Sequence, residues 1–345
     1  MNKVAILSSG VVSSLALDVP VMSAAVQAGI STLKTYDYIA STGEPYRMSI
    51  LPDECLPELQ DGITNQTSYR YRRMLQLLAV ALEQLKISEK VTSPTPCFIN
   101  LPEKLSLRKT VAPQTLQEIN RLTGLSIDWL HSRVYHQGRA GGYSALADAY
   151  RLVSEGVVKT ALVAGVDSCR CLKTLGTWES EGRLLLSHVG DGFLPGEGAG
   201  CLLLSAADEN SKVILDPPGV SQEEAHYYSD QVCRGDGLTA AMLAACDQLN
   251  SPVQQIICGL NGEHSPTKEW GVAVSRLGDK LDDNASIMHP ADCYGDIGAA
   301  TAPVLVALSA YMLEQGDVEG PVLTWSASDY ETRGAVALSI PKSVS

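Results

Sequence analysis

A chain of 345 residues, 45% apolar and 19% charged, is long and apolar enough to bury a sizeable core, and disorder is excluded. Its 26 basic and 39 acidic residues give a formal charge of −13 with no basic stripe, which argues against nucleic acid as a partner. Nine cysteines at irregular spacing point to reduced thiols in a cytoplasmic protein, and no apolar run reaches the roughly 18 residues that span a membrane.

In chain order, the apolar run 4–7 is expected as a strand that turns at Ser8-Ser9-Gly10. A helical pattern over 17–29 stops at Gly29, and 30–66, rich in Pro, Gly and acidic residues, is expected to be irregular. Apolar spacings of three and four predict a helix over 71–85, followed by a strand at 97–100 and a helix at 115–122. Gly141-Gly142 opens a further helix, with Leu146, Ala149, Tyr150 and Val153 on one face, and Gly156 closes it.

The nearly continuous apolar run 160–166 suits the interior of a mostly parallel sheet. Strands at 201–204 and 253–258, helices at 240–249 and 302–313, and strands at 322–325 and 334–338 complete the pattern. The alternation restarts after residue 205, which predicts two α/β halves, 1–210 and 211–345. Cys169 and Cys171 form half of a possible metal site that nothing nearby completes, so neither metal nor cofactor is expected.

Four motifs carry a resemblance. Asp191-Gly192-Phe193-Leu194-Pro195-Gly196-Glu197-Gly198-Ala199-Gly200 resembles a long, specific segment of the beta-ketoacyl-acyl-carrier-protein synthases. Gly10-Val11-Val12-Ser13-Ser14-Leu15 resembles that family's Gly-x-Val-Ser-Pro-x-Gly opening. The helix after Gly142 with Ala164-Gly165-Val166-Asp167 resembles the element behind its nucleophile, and Gly295 to Ala300 resembles its second-half loop. The resemblance implies the thiolase-like α/β fold: two similar fused halves whose central mixed sheets are sandwiched by helices.

Members of the family use a Cys at a strand-to-helix elbow and two His residues. The resemblance places these three positions on Arg139, Asn261 and Gly295. Arg139 cannot form an acyl thioester, and a cation at a helix start needs a carboxylate or anion beside it. Glu263 and Asp296 are the candidates for an internal salt bridge, with a ligand or partner carboxylate as the alternative. His264 lies three residues past Asn261, but Asn261-Gly262 is the better register.

Phe193 matches the family's gating residue, Glu197 is expected to hold loops through backbone N–H groups, and Cys293 could border the old cavity. The family's glycine-rich C-terminal turn is replaced by residues 326–334, whose bulkier, charged side chains should narrow that cavity. Taken together, these departures imply a catalytically degenerate homologue, a pseudoenzyme acting in binding, assembly or as an adaptor. The alternatives are an acyltransferase of the 3-oxoacyl-acyl-carrier-protein synthase type with an altered site, and a non-catalytic acyl or acyl-carrier binder. By resemblance the chain pairs with itself or a related synthase through residues 160–166, and its client is a protein or an acyl carrier protein.

Overall fold

Leu202, Leu203 and Leu204 lie opposite Val163, Leu162 and Ala161, so two of the strongest apolar runs are neighbouring antiparallel strands. Around them the computed structural model describes residues 2–59, 68–91, 93–103 and 108–341. Its strands are β1 (Val4–Ser13), β2 (Lys34–Ile39), β3 (Pro45–Met48), β4 (Cys97–Asn100), β5 (Arg133–Tyr135), β6 (Thr160–Ser168) and β7 (Glu197–Ala206). Six follow: β8 (Ile214–Leu215), β9 (Gly219–Gln222), β10 (Val253–Cys258), β11 (Leu281–Met288), β12 (Val322–Ala327) and β13 (Thr332–Ser339).

Eleven of them share one sheet in the order β11-β10-β12-β13-β8-β1-β7-β6-β4-β5, with β9 added to β13. The sheet is mixed. Strands β4, β5 and β6 run parallel, as do β10, β11 and β12, whereas β1, β7, β8 and β13 join their neighbours antiparallel. The two-residue β8 couples the wings: Leu215 pairs with Val4 on one side and Leu338 on the other.

Between the wings lie the helices Gly141–Ser154 and Thr301–Gln315, each touching strands of both. Thr301–Gln315 buries twelve of its fifteen residues, which explains why its sequence is apolar all round. Pro303 is tolerated because it sits in the first turn. The helix Tyr69–Gln84 covers the outer face of one wing and Asp236–Ala245 that of the other.

Gly196, Gly198 and Gly200 alternate down one strand face, where a Cβ would come within 2.3 Å of Tyr294 O, 2.6 Å of Val12 O and 2.8 Å of Val304 N. The conspicuous glycine motif is therefore a packing surface, on which residues 294–304 lie directly.

Several expectations need correcting. Ser8-Ser9-Gly10 is no turn but the middle of β1, with a register shift between Ile6 and Ser8. Gly10 is there because the Tyr69–Gln84 helix passes so close that a Cβ would sit 2.1 Å from Ala81 O. Residues 30–59 are not wholly irregular, since β2 and β3 form a hairpin; residues 60–66 lie outside the described residues. Strand β6 is not in a mostly parallel environment: its partner β4 is parallel, but β7 is antiparallel.

Because β6 is paired on both sides, it offers no free edge to another chain. Among the described residues the free edge of that wing is β5, paired with β4 alone. The helices Leu172–Ser180 and His264–Ser275 and the strand β11 had no clear periodic signal. No helix among the described residues is long and apolar enough to cross a membrane.

Candidate functional site

A short 3-10 turn, Gly138–Ala140, runs straight into the helix Gly141–Ser154 and puts Arg139 at the elbow. Its side chain is only 12% exposed. Arg139 Nε donates to Asp296 Oδ2 at 2.7 Å, Nη2 also reaches that oxygen, and Nη1 donates to Asp329 Oδ1 at 2.6 Å. Glu263 Oε2 is farther off, 3.9 Å from Nη2.

A second buried cation completes the arrangement. Arg183 Nε and Nη2 donate to Glu263 Oε1 and Oε2 at 2.7 and 2.8 Å, and its Nη1 and Nη2 donate to Asp329 at 2.8 and 2.9 Å. Both are fork-on-fork contacts, which fix direction as well as charge. Asn261 Nδ2 bridges Glu263 Oε2 at 2.9 Å and Asp296 Oδ2 at 2.8 Å. The Phe193 ring has Arg139 at 5.6 Å and Arg183 at 5.4 Å from its centroid, and meets Trp178 edge-on at 5.1 Å.

Two guanidiniums against three carboxylates leave this knot with one net negative charge. Burial opposes ionisation of Asp296 and Asp329, but the Arg139 charge together with the surrounding hydrogen bonds, from Arg139, Asn261 and Gly298 N–H to Asp296 and from Arg183 and Arg139 to Asp329, holds both carboxyls below their usual range. Both arginines stay protonated, since the facing carboxylates outweigh their own burial. Glu103, beside the elbow, behaves oppositely. Burial first, and then the Asp329 charge, push its carboxyl up to about 7.

The three positions assigned by resemblance thus lie together around this knot, but they carry little acyl-transfer chemistry. Arg139 is fully engaged, and Asn261 spends its amide on two carboxylates. Gly295 has φ +75° and ψ −172°, and a Cβ there would fall 2.8 Å from Leu194 O. No side chain fits on that backbone, so an imidazole could not be accommodated without rerouting the chain.

Two further candidates do not join the site. His264 is exposed at the start of His264–Ser275, where its N–H donates to Asp191 Oδ1 at 2.7 Å. Cys293, at 5% exposure, packs into the core around the two central helices rather than facing the cavity, and burial raises its thiol. Glu263 and Asp296 are in the knot, and Phe193 is held by packing. Glu197 accepts from Leu51 N–H at 2.9 Å, as expected of a loop-holding carboxylate, but its main partner is the buried Arg73.

Residues 326–334 also reach the elbow. Ser328 accepts from Ala140 N–H at 2.9 Å and Ser326 donates to Arg139 O at 3.0 Å, satisfying backbone groups at the helix start. Sequence reasoning missed Arg183, Glu103 and the specific part of Asp329. The signal available was an unbalanced charge: a buried Arg139 facing two acids implies more cation nearby.

Beside the knot opens a cavity of about 940 Å³, whose wall includes Glu103, Arg139, Asp296, Arg70, Cys171 and Trp178. Arg70 there pairs with Asp167 at 2.7 Å. Elsewhere Glu223, Cys233 and Glu269 place ligand atoms within 4.8 Å of one another. Glu223 is already used by the N–H groups of Ala225 and Gly237, and Glu269 by Arg333, so these donors are spent within the protein.

No protein-family model matches the sequence, and no curated protein matches it. Solved structures do. One is the ketosynthase ApeO in complex with its chain length factor ApeC from Xenorhabdus doucetiae, with TM-score 0.76 and 15% identity, covering 99% of this chain and 98% of that chain. The ishigamide ketosynthase/chain length factor gives 0.76 and 16%, covering 98% and 99%. The ketosynthase from module 6 of the bacillaene synthase of Bacillus subtilis 168 gives 0.76 and 13%, covering 98% and 72%. The chain has the thiolase-like α/β fold, with mixed sheets flanked by helices.

Proposed function

We propose that this chain is a non-condensing homologue of the ketosynthases, acting by binding a protein partner in an assembly. One observation carries the reading: the elbow position is filled by a guanidinium whose donors are committed to Asp296 and Asp329. Acyl transfer needs a nucleophile there with donors converging on a thioester oxygen, and this elbow supplies an ion-pair knot instead. The knot links residues distant in sequence, so the old site serves to hold the fold together.

A partner surface is available where the sheet ends. Among the described residues edge strand β5 is paired on one side only, and Trp129 and Leu130 just before it are 52% and 86% exposed. The similar structures include a ketosynthase held with a chain length factor, a pairing that suits a chain whose own chemistry is lost. A second copy, a related synthase, or an acyl carrier protein is the partner class.

The cavity beside Arg139 favours a second reading, an acyl or acyl-carrier binder without turnover. Incubation with acyl-carrier-protein and coenzyme A thioesters plus a malonyl donor tests both. Non-condensing binding yields no condensation product and no decarboxylation while the protein stays folded. Product formation at a rate above that of buffer would overturn it, and saturable thioester binding without turnover would select the second reading.

A further inference from the structure

We propose that strand β11, at the other end of the sheet from β5, is a docking edge for an extended, basic segment of another protein, which adds to it as a further strand. The inference goes beyond the partner surface at β5 and stands independently of it.

Strand β11 runs over eight residues, against three for β5, and among the described residues it pairs with β10 alone. An edge of that length presents a row of backbone N–H and C=O groups that another chain can match.

Its apolar side chains are also left half covered. Ile287 pairs with Ile256, which belongs to the core under the helix Asp236–Ala245, and Met288 pairs with Ile257, which belongs to the core around the two central helices. Ile256 and Ile257 are buried, whereas Ile287 is 46% exposed and Met288 is only partly covered. Successive side chains of a strand point to opposite faces, so both core layers stop one strand short at this edge. An added strand carrying apolar residues extends each of them.

Charge selects the occupant. Asp279, Asp282 and Asp283 lie along the edge and have no ion pair among the described residues. Lys280, between them in sequence, is turned away and donates to Cys246 O at 3.3 Å. Asn284 N–H donates to Asp282 Oδ1 at 2.9 Å, which fixes that carboxylate beside the strand. A second copy of this chain would bring the same uncompensated carboxylates into the interface, on top of a formal charge of −13. Lysine or arginine on an incoming strand meets the opposite charge instead. At β5 the exposed Arg133 is already paired with Asp148 at 3.1 Å, so a basic segment is drawn to β11 over β5.

The test is fluorescence anisotropy of the full chain with labelled peptides as long as β11, one alternating lysine with valine and one alternating glutamate with valine. The lysine probe should saturate, bind at least about tenfold more tightly than the glutamate probe, and weaken as salt is raised. A lysine probe with every backbone nitrogen methylated keeps its charge but cannot donate to a ladder, and should lose about tenfold or more. Hydrogen exchange should slow over residues 281–288 when the lysine probe binds and stay unchanged over 133–135. Asp282→Lys combined with Asp283→Lys should reverse the preference between the two charged probes, with near-UV circular dichroism confirming that the variant folds.

Failure of the lysine probe to bind, undiminished binding of the methylated probe, or protection at β5 in place of β11 would overturn the site. Equal binding of the lysine and glutamate probes would overturn the basic partner class. Protection of β11 that rises with chain concentration in the absence of any probe would give the edge to a second copy and overturn the proposal.

Discussion

Arg139 Nε lies 2.7 Å from Asp296 Oδ2, and this contact ties the elbow of one central helix to the loop that begins the other. The same guanidinium reaches Asp329 in the turn between β12 and β13, so one side chain joins three separate segments.

Removing Arg139 should therefore cost stability. Arg139→Ala leaves Asp296, Asp329 and Glu263 with Arg183 as the remaining guanidinium of the knot, and breaking a buried ion pair typically costs about 3–5 kcal/mol. Urea unfolding should show a lower midpoint at unchanged slope. Arg139→Cys should lose a similar amount and gain no condensing activity, because no side chain at Gly295 can complete the set.

Glu103 predicts a pH effect of definite sign. Its folded-state value of about 7 lies above the ordinary 4.5, so the native state holds the extra proton between those limits. Stability should fall as pH rises through that window, by about 2–3 kcal/mol. Glu103→Gln should flatten this decline, measured as Tm from pH 5 to 8. Asp296 and Asp329 work in the other direction: their folded values are depressed, so the stability they give is present above about pH 4 and lost as pH falls below it.

Phe193 is 1% exposed and lies between Trp178 and two guanidiniums. Phe193→Ala should destabilise by about 3–5 kcal/mol through the cavity it leaves, and a guanidinium titration reads the loss. A freely swinging gate would instead tolerate the change.

The exposed Leu130 beside edge strand β5 should matter to assembly and little to folding. Leu130→Asp should shift the mass from light scattering toward that of a single chain while leaving the urea midpoint within about 0.5 kcal/mol of the parent.

How much of this was legible depends on the kind of force involved. Strands β6, β7, β10 and β12 announced themselves as apolar runs, because burial on both faces removes polar residues from the sequence. Strand β11 did not: its burial pattern is intermediate to exposed throughout, and Asp282, Asp283, Asn284 and Ala285 fall in the register shift between the pairs Val253–Leu281 and Gln255–Ser286. Arg139 was legible because a motif register located it. Arg183 was not, because charge pairing across 80 residues to Glu263 leaves no periodic trace in the sequence. Gly10 misled, since a glycine chosen for close helix contact looks the same as one chosen for a turn.

The glycine face of β7 bears on how such a chain would be classified. Gly196, Gly198 and Gly200 answer to Tyr294, Val12 and Val304, and Gly196 also donates its N–H to the Asp296 carbonyl at 2.8 Å, a backbone contact with the knot. A side chain at any of the three would clash whatever the elbow carries, so these glycines are required by the scaffold's geometry. A label assigned from that stretch alone would therefore rest on architecture and not on the groups at the elbow.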